Sequence, residues 1–220
     1  VGDCTQAVAG GGFLYTNRDS VSIGVVLRLD DLEARGRRSS DVHDYFLEHP
    51  AIAPLISDGE LLEYGCHLTI ENGPAMVTHD LTRPGFLVIG DAAGFTLNTG
   101  LTIRGMDLAA GSAIAAAKAI VKALDQGTYG RPAMDDYQKQ LKNTFVGADM
   151  QTYANAPHFL EIPRLYKDYG ELLANILYDA YNHDTKPRRP IRKTILKALK
   201  QSQLKMLTVI GDGWKAMKSL

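Results

Sequence analysis

The residues whose types and spacing could do chemistry lie in one run, residues 85–118, GFLVIGDAAGFTLNTGLTIRGMDLAAGSAIAAAK. Asp91 stands just past a continuous apolar stretch, Phe86-Leu87-Val88-Ile89, of the kind buried in a parallel sheet. In open α/β sheets the carboxyl ends of strands face the ligand crevice. A carboxylate there accepts hydrogen bonds from ligand hydroxyls. Gly90 before it, and Ala92, Ala93 and Gly94 after it, let a bulky ligand approach the backbone. Gly100 and Gly105 lead into a helix expected over roughly 105–125, whose first turn offers N–H groups to negative charge. The heptad Val88–Gly94 alone reads equally well as glycines placed for packing; the run as a whole is far more specific.

Other chemistry is sparse. The chain has no G-x-S-x-G elbow, no H-E-x-x-H, no Walker loop and no G-x-G-x-x-G. The six histidines, at 43, 49, 67, 79, 158 and 183, are scattered and read as surface or structural residues. Asp135-Asp136 reads as acidic decoration at a helix start. Cys4 and Cys66 are too few for a cysteine-built zinc or iron–sulfur site, so no metal ligand is assigned. One disulfide between them is conceivable, but two scattered thiols of a cytoplasmic protein are the preferred reading.

The elements that must position the central run follow from periodicity. Residues 10–29 read as a β-hairpin turning at Asn17-Arg18-Asp19-Ser20. Residues 30–40 read as a charged loop, and Ser40 is expected to cap a helix over 41–49 that Pro50 ends. Residues 61–70 and 75–79 read as short strands, and Arg83-Pro84-Gly85 as a turn. The helix after Gly105 is Ala, Gly and Ser on one side, so it has to pack against something flat, and it should end before Gly127. Residues 132–155, 163–182 and 190–210 are expected to be helical. Strands come first, one strand-to-helix unit lies in the middle, and helices come last.

Composition limits the function classes. The 220 residues are 45% hydrophobic and 22% charged, enough apolar content for a real core and too much for a disordered chain. A formal net charge of -1 excludes a chain-wide nucleic-acid footprint. That average hides an asymmetry. Residues 186–220 hold ten basic residues against one acid, Asp212, so this tail is +9 and residues 1–185 are -10. Within it Ile191, Ile195, Leu196, Leu199 and Met206 recur at helical spacing. Such a helix either packs its apolar stripe on its own domain or docks on an anionic membrane or acidic partner. No uncharged apolar run reaches bilayer length and no signal peptide is visible. An opening on Val1-Gly2-Asp3 suggests a piece of something longer.

Leu87-Val88-Ile89-Gly90-Asp91-Ala92-Ala93-Gly94 resembles the second FAD-binding motif of the flavoproteins that include aromatic hydroxylases and geranylgeranyl reductases. The continuation Leu97-Asn98-Thr99-Gly100-Leu101-Thr102-Ile103-Arg104-Gly105-Met106-Asp107-Leu108-Ala109 is similar to FixC-type proteins, relatives of electron-transfer flavoprotein:quinone oxidoreductase. Gly10-Gly11-Gly12-Phe13-Leu14-Tyr15-Thr16-Asn17 resembles the Gly-Gly-x-Phe-Leu-Tyr hairpin of the same family. The likeness is strong over about 1–125 and thinner beyond.

The resemblance implies cofactor-binding roles for Gly90, Asp91, Gly100, Leu101, Thr102, Gly105 and Met106. Asp91 would bind the ribityl chain or neighbouring phosphate of FAD, and amides around Gly100 to Met106 would meet the pyrimidine end of the isoalloxazine. Gly10 and Gly11 would lie on the quinone side. It implies no catalytic side chain, because the flavin carries the redox chemistry. The implied partners are an electron-transfer flavoprotein, quinone and a ferredoxin-like subunit, with peripheral contact on the inner face of the cell membrane. Two departures stand out: the family's N-terminal dinucleotide fold is missing, so this chain by itself is expected to be without FAD, and the four-Cys cluster of the eukaryotic-type enzyme is absent.

The expected fold is α+β with an α/β element: an antiparallel sheet of a flavoprotein substrate domain, one strand–helix unit of the FAD-binding domain, and a helical C-terminal region. The expected division is 1–82 (quinone side, β-rich), 83–127 (FAD-binding segment) and 128–220 (helical, with the basic tail). Two other readings stay open: a flavin-dependent hydroxylase or prenyl reductase of the same superfold, and a non-catalytic interaction module docking through 186–220.

Overall fold

The computed structural model describes residues 3–71, 77, 80–100, 102–183, 185 and 187–220. These form a mixed α+β chain with small antiparallel sheets and mostly helix. It divides into two compact units, Val1–Gly65 with Ile162–Gly211, and Cys66–Glu161 with Asp212–Leu220.

In the first unit the alternating residues after Gly10 pair as expected. β1 (Gly10–Thr16) and β2 (Val21–Leu27) form an antiparallel hairpin in the register Gly10↔Leu27 to Thr16↔Val21. The Asn17 N–H closes its turn on the Ser20 carbonyl at 2.9 Å. The segment expected as a loop instead forms α1 (Leu29–Ala34), which buries Leu32 and carries Asp30 and Asp31 in its first turn. There Asp31 Oδ2 accepts the Ala9 N–H at 2.7 Å and ion-pairs with Arg35, so tertiary bonds supply what the short sequence lacks in periodicity. α2 (Ser39–Glu48) buries Val42 and Phe46. Ser40 lies inside its first turn rather than at the cap, which is Arg38 in extended conformation. The helix stops two residues before Pro50, as the restriction on residues preceding proline requires. α3 (Ala53–Ile56) follows.

Residues 61–70 are not a strand. They run without regular structure, and Leu61, Leu62, Tyr64, Leu68 and Ile70 are exposed. Alternation becomes a strand only when a neighbour satisfies its N–H and C=O groups, and no strand among the described residues pairs with it. The strand expected over 75–79 lies, but for Val77, outside the described residues.

In the second unit, Pro84-Gly85 turns β3 (Thr82–Arg83) into β4 (Phe86–Leu87), with Gly85 at φ +69°. The apolar run is therefore an antiparallel edge rather than a buried parallel strand: Phe86 is exposed, Leu87 and Val88 are half-buried and Ile89 is exposed. No parallel strand pairs with it among the described residues. β5 (Leu97–Asn98) and β6 (Ile103–Arg104) make a second ribbon. α4 (Met106–Asp125) matches its expected span and ends before Gly127. Its small-residue face, Leu108, Gly111, Ser112, Ala115, Ala116, Ala119 and Ala123, is buried. The flat neighbour it needs is α5 (Arg131–Lys142) with α6 (Phe145–Thr152), joining Tyr137, Leu141, Val146 and Met150 to one core. The expected helix over 132–155 breaks here at Asn143-Thr144, with the Thr144 N–H and Oγ1 both bonding the Leu141 carbonyl. Asp135 and Asp136 connect elements: the Thr82 hydroxyl donates to Asp135 Oδ1, and Asp136 accepts from Lys122 Nζ at 3.1 Å. α7 (Ala156–Leu160) follows.

The first unit resumes with a 3-10 turn at Pro163–Tyr166 and α8 (Asp168–Tyr181), so the helix expected over 163–182 starts late. The last expected helix is two: α9 (Ile191–Gln201) and α10 (Met206–Ser219). α9 packs on α8 and joins it through Lys197 Nζ to Asp179 Oδ2 at 2.7 Å. It buries Thr194 and Ala198 while Ile191, Ile195 and Leu196 are exposed, so the apolar stripe is not the packed face. No helix among the described residues is long and apolar enough to cross a membrane.

Candidate functional site

The turn from β4 to α4 is held by two buried polar side chains. The Tyr137 hydroxyl, on α5, donates to the Val88 carbonyl at 3.1 Å. Ser112 Oγ, on α4, accepts the Gly90 N–H at 3.0 Å and donates to the Ala109 carbonyl at 2.8 Å. The backbone on both sides of Ile89 is thus fixed immediately before Asp91. Burial pushes the Tyr137 phenol up to about 12, partly offset by its hydrogen bond with Ser112, so it remains a neutral donor at physiological pH.

Gly90 takes φ +58°, and a Cβ there would lie 3.3 Å from the Ala109 Cβ, so the turn needs glycine for conformation and for space. Gly90–Ala93 is a single 3-10 turn closed by Gly94 in the left-handed region, whose N–H bonds the Asp91 carbonyl at 2.9 Å. Phe95 and Leu97 then plunge into the core. The result leaves the Asp91 side chain exposed, with Oδ1 3.6 Å from where a Cβ on Gly105 would stand.

The β5–β6 ribbon connects this turn to α4. Thr99 N–H bonds the Thr102 carbonyl at 3.1 Å, and the Gly100 N–H bonds Asn98 Oδ1 at 2.8 Å. Gly100 is at φ +79°, and a Cβ would come within 2.7 Å of the Phe159 ring. Asn98 Nδ2 reaches Glu71 Oε2 at 2.9 Å, and the Thr96 hydroxyl donates to the Ile70 carbonyl at 2.8 Å. Thr102 and Met106 are exposed, the latter by 82%.

α4 begins after Gly105 with no side-chain cap from that residue. Arg104 binds Asp107 Oδ2 through Nε at 2.8 Å and through its NH2 group, and Asp149 Oδ2 on α6 through its NH1 group at 2.6 Å. The guanidinium also lies 6.0 Å from the Phe145 ring centroid. It holds the Asp107 carboxyl below its ordinary 3.8, against burial that pushes it up, and the Leu108 N–H adds to the effect.

Six of the seven residues implied as cofactor ligands, Gly90, Asp91, Gly100, Thr102, Gly105 and Met106, belong to this unit; Leu101 lies outside the described residues. Gly10, at φ +152°, and Gly11 are half-buried in β1 of the other unit. Sequence reasoning missed Ser112, Tyr137 and Arg104. The signals were a lone hydroxyl inside an Ala/Gly face and an Arg–Asp pair three apart across a helix start.

Chemically, an exposed carboxylate beside the start of a long helix can accept hydroxyls, and the helix dipole there favours an anion or an electron-rich ring edge, although Asp107 already takes the Leu108 N–H of the first turn. Among the described residues no cluster of three His, Cys, Asp or Glu could hold a metal ion. Cys4 and Cys66 are not joined by a disulfide.

These features define an α+β protein with a candidate site at a strand–turn–helix junction. The chain belongs to the ETF-QO/FixC family. Residues 156–220 match the ETF-QO/FixC family C-terminal domain. Over 219 residues, 100% of this chain and 50% of the relative, it is 39% identical to the probable electron transfer flavoprotein-quinone oxidoreductase YdiS of Escherichia coli K12. It is 37% identical to protein FixC of Salmonella typhimurium over 216 residues, 98% of this chain and 50% of the relative. Against the probable electron transfer flavoprotein-quinone oxidoreductase YgcN of Escherichia coli K12 it is 32% identical over 211 residues, 96% of this chain and 49% of the relative. The chain spans about half the length of the curated relatives it matches.

Proposed function

We propose that this chain is the C-terminal part of a FAD-dependent oxidoreductase that passes electrons from an electron-transfer flavoprotein to quinone or a ferredoxin-like partner. The observation that carries the reading is the pairing of Asp91 with the start of α4, pinned from behind by Ser112 on Gly90. The exposed Asp91 carboxylate accepts ribityl hydroxyls. Gly90 and Gly105 present no side chain to obstruct a ring system, and the start of α4 offers its dipole to developing negative charge, offset in part by Asp107 in its first turn. These residues fit the ribityl and pyrimidine end of FAD. The sequence carries no G-x-G-x-x-G for the pyrophosphate end, so binding by this chain alone should be poor.

When bound, FAD supplies the electron-accepting and electron-donating chemistry. The protein's share is to bind and orient it through Asp91, Gly100, Thr102, Gly105 and Met106, with Leu101 of the same motif. Gly10 and Gly11 are assigned to the quinone side. The roles divide along 1–82, 83–127 and 128–220, and the basic tail 186–220 supplies peripheral contact at the inner face of the cell membrane.

Flavin absorbance of the whole protein tests this reading. One equivalent of FAD, bleached by a reduced electron-transfer flavoprotein and restored by a quinone analogue, is the expected result. Bleaching by NAD(P)H and restoration by oxygen would point to a hydroxylase-type enzyme, and absence of flavin would refute the proposal.

A further inference from the structure

We propose that Arg104 is a positioning and charge-compensating residue that sets the reduction potential of the flavin; this rests on the flavin reading of the site. Arg104 is the last residue of β6 and stands one residue before the Gly105 cap of α4. It makes three bonds to two carboxylates from different elements: two to Asp107 Oδ2 in the first turn of α4 and one to Asp149 Oδ2 on α6. Its side chain is 29% exposed and that of Asp149 30%, so the second pair is held largely out of bulk water.

Two consequences follow. The first is geometric. The fork ties the β5–β6 ribbon and the first turn of α4 to α6, so the amides assigned to the flavin edge cannot shift independently of the core. A planar guanidinium reaches two carboxylates at once; a lysine ammonium does so without a fixed fork.

The second consequence is electrostatic. Among the described residues, Asp91 lies beside the Gly105 cap of α4, and Arg104 is the cation that pairs with both Asp107 and Asp149 there. Without Arg104 all three carboxylates oppose the helix dipole. The reduced, anionic ring would then meet a site more negative by one charge, and the oxidised ring would be favoured. Arg104 therefore raises the potential, and Asp149 lowers it.

The test is potentiometry of the flavin in the whole protein, wild type beside Arg104→Met, Arg104→Lys and Asp149→Asn, with flavin content measured in each. In Arg104→Met the ratio of affinities for reduced and oxidised flavin should fall by up to tenfold, a shift of about 30 mV downward for a two-electron couple. Asp149→Asn should shift it upward. Arg104→Lys should keep the wild-type potential while losing flavin faster, which separates charge from fork geometry. Asp149→Asn retains the cation and its bonds to Asp107, so it reports even where Arg104→Met does not fold. One equivalent of flavin at the wild-type potential in Asp149→Asn would overturn the role of Arg104. A wild-type protein without flavin would overturn the reading of the site itself.

Discussion

Ser112 Oγ accepts the Gly90 N–H at 3.0 Å across the interface between α4 and the turn that carries Asp91. Both residues are buried, so no water replaces the acceptor when it is removed. Ser112→Ala should therefore cost about 1–3 kcal/mol, the desolvation penalty of an orphaned donor. A lower urea midpoint, with the slope unchanged, is the expected outcome; an unmoved midpoint would mean that the turn is held by packing alone.

Tyr137 gives the site a defined alkaline limit. Its phenol is raised from 10 to about 12 in the folded chain by burial. A raised pKa means that the neutral form is the one the fold favours. The stability it contributes is complete below pH 10 and is lost as pH climbs through 12. The loss is about 1.4 kcal/mol per pH unit in that window. Tyr137→Phe should lower stability at neutral pH, by loss of the bond to Val88, and flatten the decline above pH 10. Unfolding free energies across the alkaline range, compared between the two proteins, check both effects.

Gly111 sets two opposing effects against each other. Gly→Ala in a helix interior is worth about 1 kcal/mol in propensity. Here the added Cβ would stand 2.7 Å from both the Phe145 ring and the Val146 Cγ2. Phe145 is half-exposed and can turn aside, but Val146 is fully buried and cannot. Overpacking of this kind costs about 1–3 kcal/mol, so Gly111→Ala should be neutral to destabilising despite its better propensity. A raised melting temperature would show that α6 can retreat.

How far the sequence was legible depends on how local each interaction is. The hairpin over 10–29, the Pro84-Gly85 turn and the span of α4 were readable because period, turn residues and helix stops lie within a few residues of one another. Residues 61–70 carry a strand's alternation but no paired partner among the described residues, and a strand exists only in company. Phe86–Ile89 misled for the same reason: an apolar run says that something covers it, not which strand runs beside it. Of the site, Asp91 and its glycines were legible as a motif. Ser112 was hidden because a serine in an Ala-rich face looks like one more small residue until the Gly90 N–H is found above it.

Asp91→Ala in the whole protein should weaken flavin binding without unfolding. The side chain is exposed, so its loss leaves no buried group unpaired. A charge-assisted hydrogen bond is worth about 1.5–3 kcal/mol, or about ten- to a hundredfold in affinity. Flavin retention on dilution, followed by fluorescence, is the measurement. Unchanged retention would reduce Asp91 to a local turn residue.

The basic tail is the surface on which salt decides. Ile191, Ile195 and Leu196 are exposed on α9, beside Arg192, Lys193 and Lys200; α10 adds exposed Leu207, Ile210, Trp214 and Met217. A purely electrostatic attachment to an anionic bilayer should collapse with salt, because the screening length shrinks from about 10 Å at 0.1 M to about 3 Å at 1 M. Each basic residue near the surface contributes about 1 kcal/mol, and the ten of the tail cannot all face one plane. Apolar side chains that enter the headgroup region add a contribution that salt does not screen. Their exposure therefore predicts binding that weakens between low and moderate salt and then levels off above zero. Sedimentation with anionic vesicles, comparing the chain with a version ending at residue 185, reads this directly. Complete release at moderate salt would confine the contact to charge, and equal partitioning of the two versions would leave α9 and α10 as solvated helices.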